Sequence, residues 1–87
     1  MRLNGHLPVL TCVSPVRGRI GDVVTLMGRH FGKRGVVQFG GRTVTAYLSW
    51  DVSKIKVRVP RGTASGGVKV TVTTLIGRSA PRPFVRL

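Results

Sequence analysis

With 87 residues and 41% apolar side chains, the chain is long enough for one domain with one modest core, and too apolar for a disordered segment. No apolar run reaches the roughly 18 residues of a membrane helix. Fifteen Lys and Arg stand against Asp22 and Asp51 alone, a formal charge of +13 that repels itself in a compact fold and favours an anionic partner: nucleic acid, an acidic protein surface or a membrane face.

In chain order, Met1-Arg2-Leu3-Asn4-Gly5-His6 has no hydrophobic stretch behind it. It reads as part of an N-terminal arm, residues 1–7, and not as a secretion signal, which favours the cytoplasm or a virion as the place of work. Residues 8–87 form the domain. Strands are expected near 8–13, 23–28, 36–39, 42–48, 54–59, 67–74 and 83–87. The strongest alternation is Lys54-Ile55-Lys56-Val57-Arg58-Val59, with three apolar residues on one side and three cations on the other. Val68-Lys69-Val70-Thr71-Val72-Thr73 repeats the pattern, and Val24-Thr25-Leu26 and Val37-Gln38-Phe39 are shorter versions. Twelve glycines and five prolines punctuate these segments, as in Gly40-Gly41, Pro60-Arg61-Gly62 and Gly66-Gly67. Seven short strands with one apolar face each predict an all-β fold, a sandwich or a barrel. Leu26, Phe31, Val37, Phe39, Ile55, Val57, Val68, Val70 and Val72 are its expected core. Cys12 is the one cysteine, so no internal disulfide staples the fold.

The order of the punctuation is itself informative. Val13-Ser14-Pro15, Gly21, Val24-Thr25-Leu26-Met27-Gly28-Arg29-His30-Phe31-Gly32 and Val37-Gln38-Phe39-Gly40-Gly41 follow one another, then Ser49-Trp50, Ile55-Lys56-Val57-Arg58-Val59-Pro60, Gly62 and Gly67-Val68-Lys69-Val70-Thr71-Val72. This series resembles the IPT/TIG family over residues 8 to 87. The resemblance implies an immunoglobulin-like β-sandwich of about seven strands, with the second and fifth strands in the same sheet.

The departures from the family pattern point to a surface. Val24 and Leu26 take inner positions, so Val23 and Met27 occupy outer ones where the family usually has polar residues. Val23, Thr25 and Met27 would then share an outer face with Lys54, Lys56 and Arg58. Apolar side chains rimmed by cations are expected to form a protein interface. Leu75-Ile76, in the turn before the last strand, is a second apolar candidate. Arg29, Lys33 and Arg34, with Arg17 and Arg19 in the preceding turn, form a cationic loop set suited to phosphates or carboxylates.

Catalysis has little to work with. Asp22 and Asp51 are far apart in sequence and both fall in expected turns, where Asp51 is suited to capping the Trp50 turn. His6, in an arm expected to be mobile, His30, and a Cys12 expected to pack in the first strand have no metal-ligand spacing. No helix follows Gly28 to Gly35 to make a nucleotide loop. The expectation is a non-enzyme with no cofactor, no metal and no small-molecule substrate. Its function is docking onto an acidic protein surface of a larger assembly, as in the small immunoglobulin-like proteins that decorate phage particles. The alternative is sequence-independent nucleic-acid binding, since Rel-type transcription factors carry such domains.

Overall fold

The computed structural model describes residues 6–87. Nine strand segments appear in order: β1 Val9–Ser14, β2 Arg17–Gly18, β3 Val23–Arg29, β4 Val36–Phe39, β5 Arg42–Thr43, β6 Tyr47–Trp50, β7 Lys54–Arg58, β8 Gly66–Thr73 and β9 Arg82–Arg86. They form two sheets, β1-β3-β7-β6 and β2-β9-β8-β4-β5. Every pairing is antiparallel except β2 with β9. The chain is an immunoglobulin-like sandwich, as the family resemblance implies.

Period-two alternation builds the core. The inward residues of β3 and β7 (Val24, Leu26, Ile55 and Val57) are fully buried and meet Val37, Phe39, Val70, Val72 and Phe84 from the other sheet. Phe31 seals one end from the β3–β4 loop. Eight of the nine expected core residues are buried. Val68 is the exception and is half-buried, because it lies at the margin beneath the Gly40 turn.

That turn requires glycine. Gly40 and Gly41 have φ of 58° and 101°, the left-handed values of a tight hairpin in which a side chain would be strained.

The expected single strand over 42–48 is two. β5 pairs with β4 in one sheet, whereas β6 pairs with β7 in the other. Between them Val44 still donates its N–H to the Val37 carbonyl, and by Ala46 the chain accepts from the Arg58 N–H. Burying Val44 draws the chain inward, and the strand changes sheets there.

A second irregularity alters β1. The register shifts between Leu10 and Cys12, so Leu10 and Val13 both face the core although they are three residues apart. Strict alternation would have kept Cys12 on the side of Leu10. The bulge turns it outward, and Cys12 is exposed instead of packed.

Candidate docking face

β3 and β7 are neighbours in the same sheet, and their register sets the outer residues in pairs. Val23 lies opposite Arg58, Thr25 opposite Lys56 and Met27 opposite Lys54. Directly opposed residues have Cβ atoms roughly 4.5–5.5 Å apart, so each apolar or hydroxyl side chain abuts a cation stem. Val23 and Met27 are 38% and 40% exposed, Thr25 is half-buried, and all three cations are exposed. The six residues expected to share one outer face therefore do so.

Sequence reading missed the flanks of this face. Cys12 pairs with Met27 and Ser14 with Thr25 on the β1 side, while Ser49 pairs with Lys56 on the β6 side. Small side chains flank the row on the β1 side, whereas exposed Leu48 lies next to Ser49 at the β6 irregularity. Alternation alone could not place Cys12 there, because the β1 bulge has no distinctive residue to announce it.

The cations have few internal partners. Asp22 Oδ2 accepts from the Arg19 backbone N–H and Asp51 Oδ1 from the Val52 backbone N–H, so both carboxylates serve turns, as expected for Asp51. Arg58 donates from Nη1 to the Gly21 carbonyl at 2.8 Å, which fixes one end of the cationic row. Lys54 and Lys56 remain available to an external anion.

The loop cations do not gather into one site. Arg17 pairs with Val85 beside the start of β3, and Arg19 is held by Asp22 at that end. Arg29 ends β3, and Lys33 and Arg34 follow in the β3–β4 loop. β3 has seven residues at roughly 3.3 Å each, which puts the two groups at opposite ends of the sandwich. The sequence brings them within eighteen positions, but the extended strand between them keeps them apart.

Aromatic rings are committed internally. Phe31, Phe39 and Phe84 are fully buried. Trp50 donates from Nε1 to the carbonyls of Phe31 and Gly32, and the Tyr47 hydroxyl accepts from the Val37 N–H. His6, expected in a mobile arm, stacks on His30 with ring centroids 4.6 Å apart. No group of three or more metal-ligating side chains occurs among the described residues.

Comparison with known proteins agrees with this architecture. The IPT/TIG domain model matches residues 8–82. The cyclomaltodextrin glucanotransferase of Paenibacillus macerans is 38% identical over 76 residues, covering 84% of this chain and 10% of that protein. The enzyme of the same name from Niallia circulans is 44% identical over 68 residues, covering 75% and 9%. The chain thus spans about a tenth of the length of these curated relatives. Among solved structures, the gamma-CGTase of alkalophilic Bacillus clarkii superposes with a TM-score of 0.87 at 31% identity, over 100% of this chain and 13% of that one. An SGBP-B from a complex xyloglucan utilization locus in Bacteroides uniformis gives 0.79 at 22% identity, over 98% and 24%, a likeness of fold. With a sandwich of this topology and a family match across nearly its whole length, the chain belongs to the IPT/TIG domain family.

Proposed function

We propose that this domain is a non-catalytic docking module that seats the outer face of β3 and β7 on an acidic surface of a neighbouring protein. The observation that carries this reading is the pairing of Val23, Thr25 and Met27 with Arg58, Lys56 and Lys54. In the isolated sandwich the outward Val and Met forgo transfer from water, and the row of cations repels itself. A partner with an apolar recess and an acidic rim reverses both terms.

The relatives favour an assembly that handles carbohydrate over a virion shell, since the names they carry are those of a glucanotransferase and a xyloglucan-locus protein. In that setting the domain serves as the module that holds its neighbours in place. Sugar recognition by ring stacking is a weaker reading for this chain, because its Phe, Tyr and Trp residues are buried or bonded within the sandwich. Nucleic-acid binding draws on the net charge alone, and the separation of the two loop cation groups weakens it.

Photo-crosslinking in the native source tests the proposal. A crosslinker in place of Thr25 should capture one partner chain, and a crosslinker in place of Lys69 on the opposite sheet should not. Equal capture from both faces, or none from Thr25, would remove this face as the docking site.

A further inference from the structure

Away from the β3/β7 face, one end of the sandwich gathers four segments that are distant in sequence. The end of β3 and the β3–β4 loop meet the β6–β7 turn through Gly28 and Phe31, whose N–H groups donate to the carbonyls of Ser53 and Val52. The N-terminal segment joins them through the His6–His30 stack. The β8–β9 hairpin closes through the Thr74 N–H and the Gly77 carbonyl at 2.7 Å, and a Cβ on Gly77 would meet the Leu7 side chain. A shallow cleft of about 470 Å³ joins His6, His30, Val52 and Ile76, and a second of about 440 Å³ joins Arg34, Gly35 and Leu75.

The apex of this end is apolar. Leu75 is 101% exposed and Ile76 42% exposed, at successive positions of a tight hairpin, with Leu7 and Val52 exposed beside them. A collar of exposed cations flanks the apex: Arg29 at the end of β3, Lys33 and Arg34 in the β3–β4 loop, and Arg78, which bridges to Thr73 at the hairpin base. Among the described residues the one carboxylate here is Asp51, and it is bonded to the Val52 N–H.

We infer that this end is a membrane-contacting tip, with Leu75 and Ile76 entering the interfacial layer of an anionic bilayer while Arg29, Lys33, Arg34 and Arg78 meet its phosphate and carboxylate headgroups. Two features favour a lipid surface over an acidic protein. Leu75 stands fully exposed at a hairpin turn with Ile76 beside it, an arrangement that a fluid interface accommodates without a matching recess. The cations come from the hairpin itself and from the neighbouring end of β3 and its loop, so a plane of anions can be met by both segments at once. Among the described residues no helix is long and apolar enough to cross a membrane, and a tip of this kind needs none. It binds weakly and reversibly by adding a small buried apolar area to electrostatic attraction.

Sedimentation with phosphatidylcholine vesicles, alone or mixed with phosphatidylserine, tests the inference on the full chain. Binding is expected to the anionic vesicles at low salt and should decline as salt screens the headgroups. Leu75→Asp should weaken it by about ten- to a hundredfold, the value of burying one such side chain. Because Leu75 touches water on all sides, this variant should keep the parent's melting temperature. Lys33→Ala with Arg34→Ala should weaken binding by about 25-fold, at about fivefold per cation. The inference is overturned if anionic vesicles bind no protein at low salt, or if Leu75→Asp binds them as well as the parent, which would reduce the effect to unspecific attraction by net charge. It is equally overturned if vesicles are ignored while Leu75→Asp loses a protein partner, since the tip would then be a protein contact.

Discussion

Met27 lies directly opposite Lys54 across β3 and β7, on the same outer face as the opposed pair Thr25 and Lys56. Apolar and cationic rows therefore run side by side along two strands, and different consequences follow from removing each. A desolvated anchor dominates affinity, whereas a rim cation chiefly steers encounter. Met27→Asp should abolish attachment to the native partner, and Lys54→Ala should slow association with a modest loss of affinity, as read by surface-immobilised binding kinetics. The double substitution Val23→Ser, Met27→Ser should unfold within about 0.5 kcal/mol per site of the parent, because both side chains are partly in water. Unchanged attachment of this double variant would direct the search to the cationic turns.

The core makes a sharper energetic statement. Phe39 and Phe84 meet edge to face with centroids 5.2 Å apart, and both are fully buried. Phe39→Ala should cost about 3–5 kcal/mol in denaturant unfolding. A double-mutant cycle with Phe84→Ala should show coupling of about 0.5–1.5 kcal/mol beyond simple burial. Additive losses would mean that the two rings act as independent fillers.

These residues also mark how far the sequence could be read. The inward and outward sides of β3, β7 and β8 were legible because inward apolar residues recur there at every second position, and the family resemblance put β3 and β7 in one sheet, so the six residues of the proposed docking face could be grouped before the fold was seen. The split between β5 and β6 was hidden, because Arg42-Thr43-Val44-Thr45-Ala46-Tyr47-Leu48 carries neither Gly nor Pro, and the change of sheet comes from burying Val44. The outward turn of Cys12 was hidden for a related reason: a bulge costs one register step and needs no special residue. The apolar tip was half visible. Leu75-Ile76 stood out as an apolar pair in a turn, but its collar is assembled from loops that meet only once the sandwich has folded.

Separation of the loop cations changes what a polyanion should measure. No more than about three phosphates can be neutralised at one time by Arg29, Lys33 and Arg34, or by the Lys54, Lys56 and Arg58 row. At a slope of about −0.9 per neutralised phosphate, the logarithm of the duplex-DNA binding constant should fall with log salt at about −3. Scrambled sequences should bind as well as any other. A much steeper slope would mean that both ends of the sandwich engage together, and a marked sequence preference would restore the transcription-factor reading.

Gly28 offers a test of the sheet that carries the proposed docking face. It pairs with Leu10, and a Cβ there would meet the backbone carbonyl of Val9 and stand 2.8 Å from the Phe31 ring. Neither neighbour can yield cheaply: the carbonyl belongs to β1, and Phe31 is fully buried. Gly28→Ala should therefore destabilise by about 1–3 kcal/mol, as overpacking does, and should loosen β1 from β3. Gly67→Ala is the matched control. Nothing lies within 4 Å of a Cβ at Gly67, and its backbone is not left-handed, so added stiffness in the unfolded chain should leave stability unchanged or raise it by about 0.4–1 kcal/mol. Thermal melts of the two variants should move in opposite directions or differ by several degrees. Hydrogen exchange should localise the Gly28→Ala loss to β1 and β3 and leave β8 and β9 as protected as in the parent. If both variants melt alike, the close approach of β1 at Gly28 is not a packing constraint, and the position of Cys12 and Ser14 beside the proposed docking face would have to be held by other contacts.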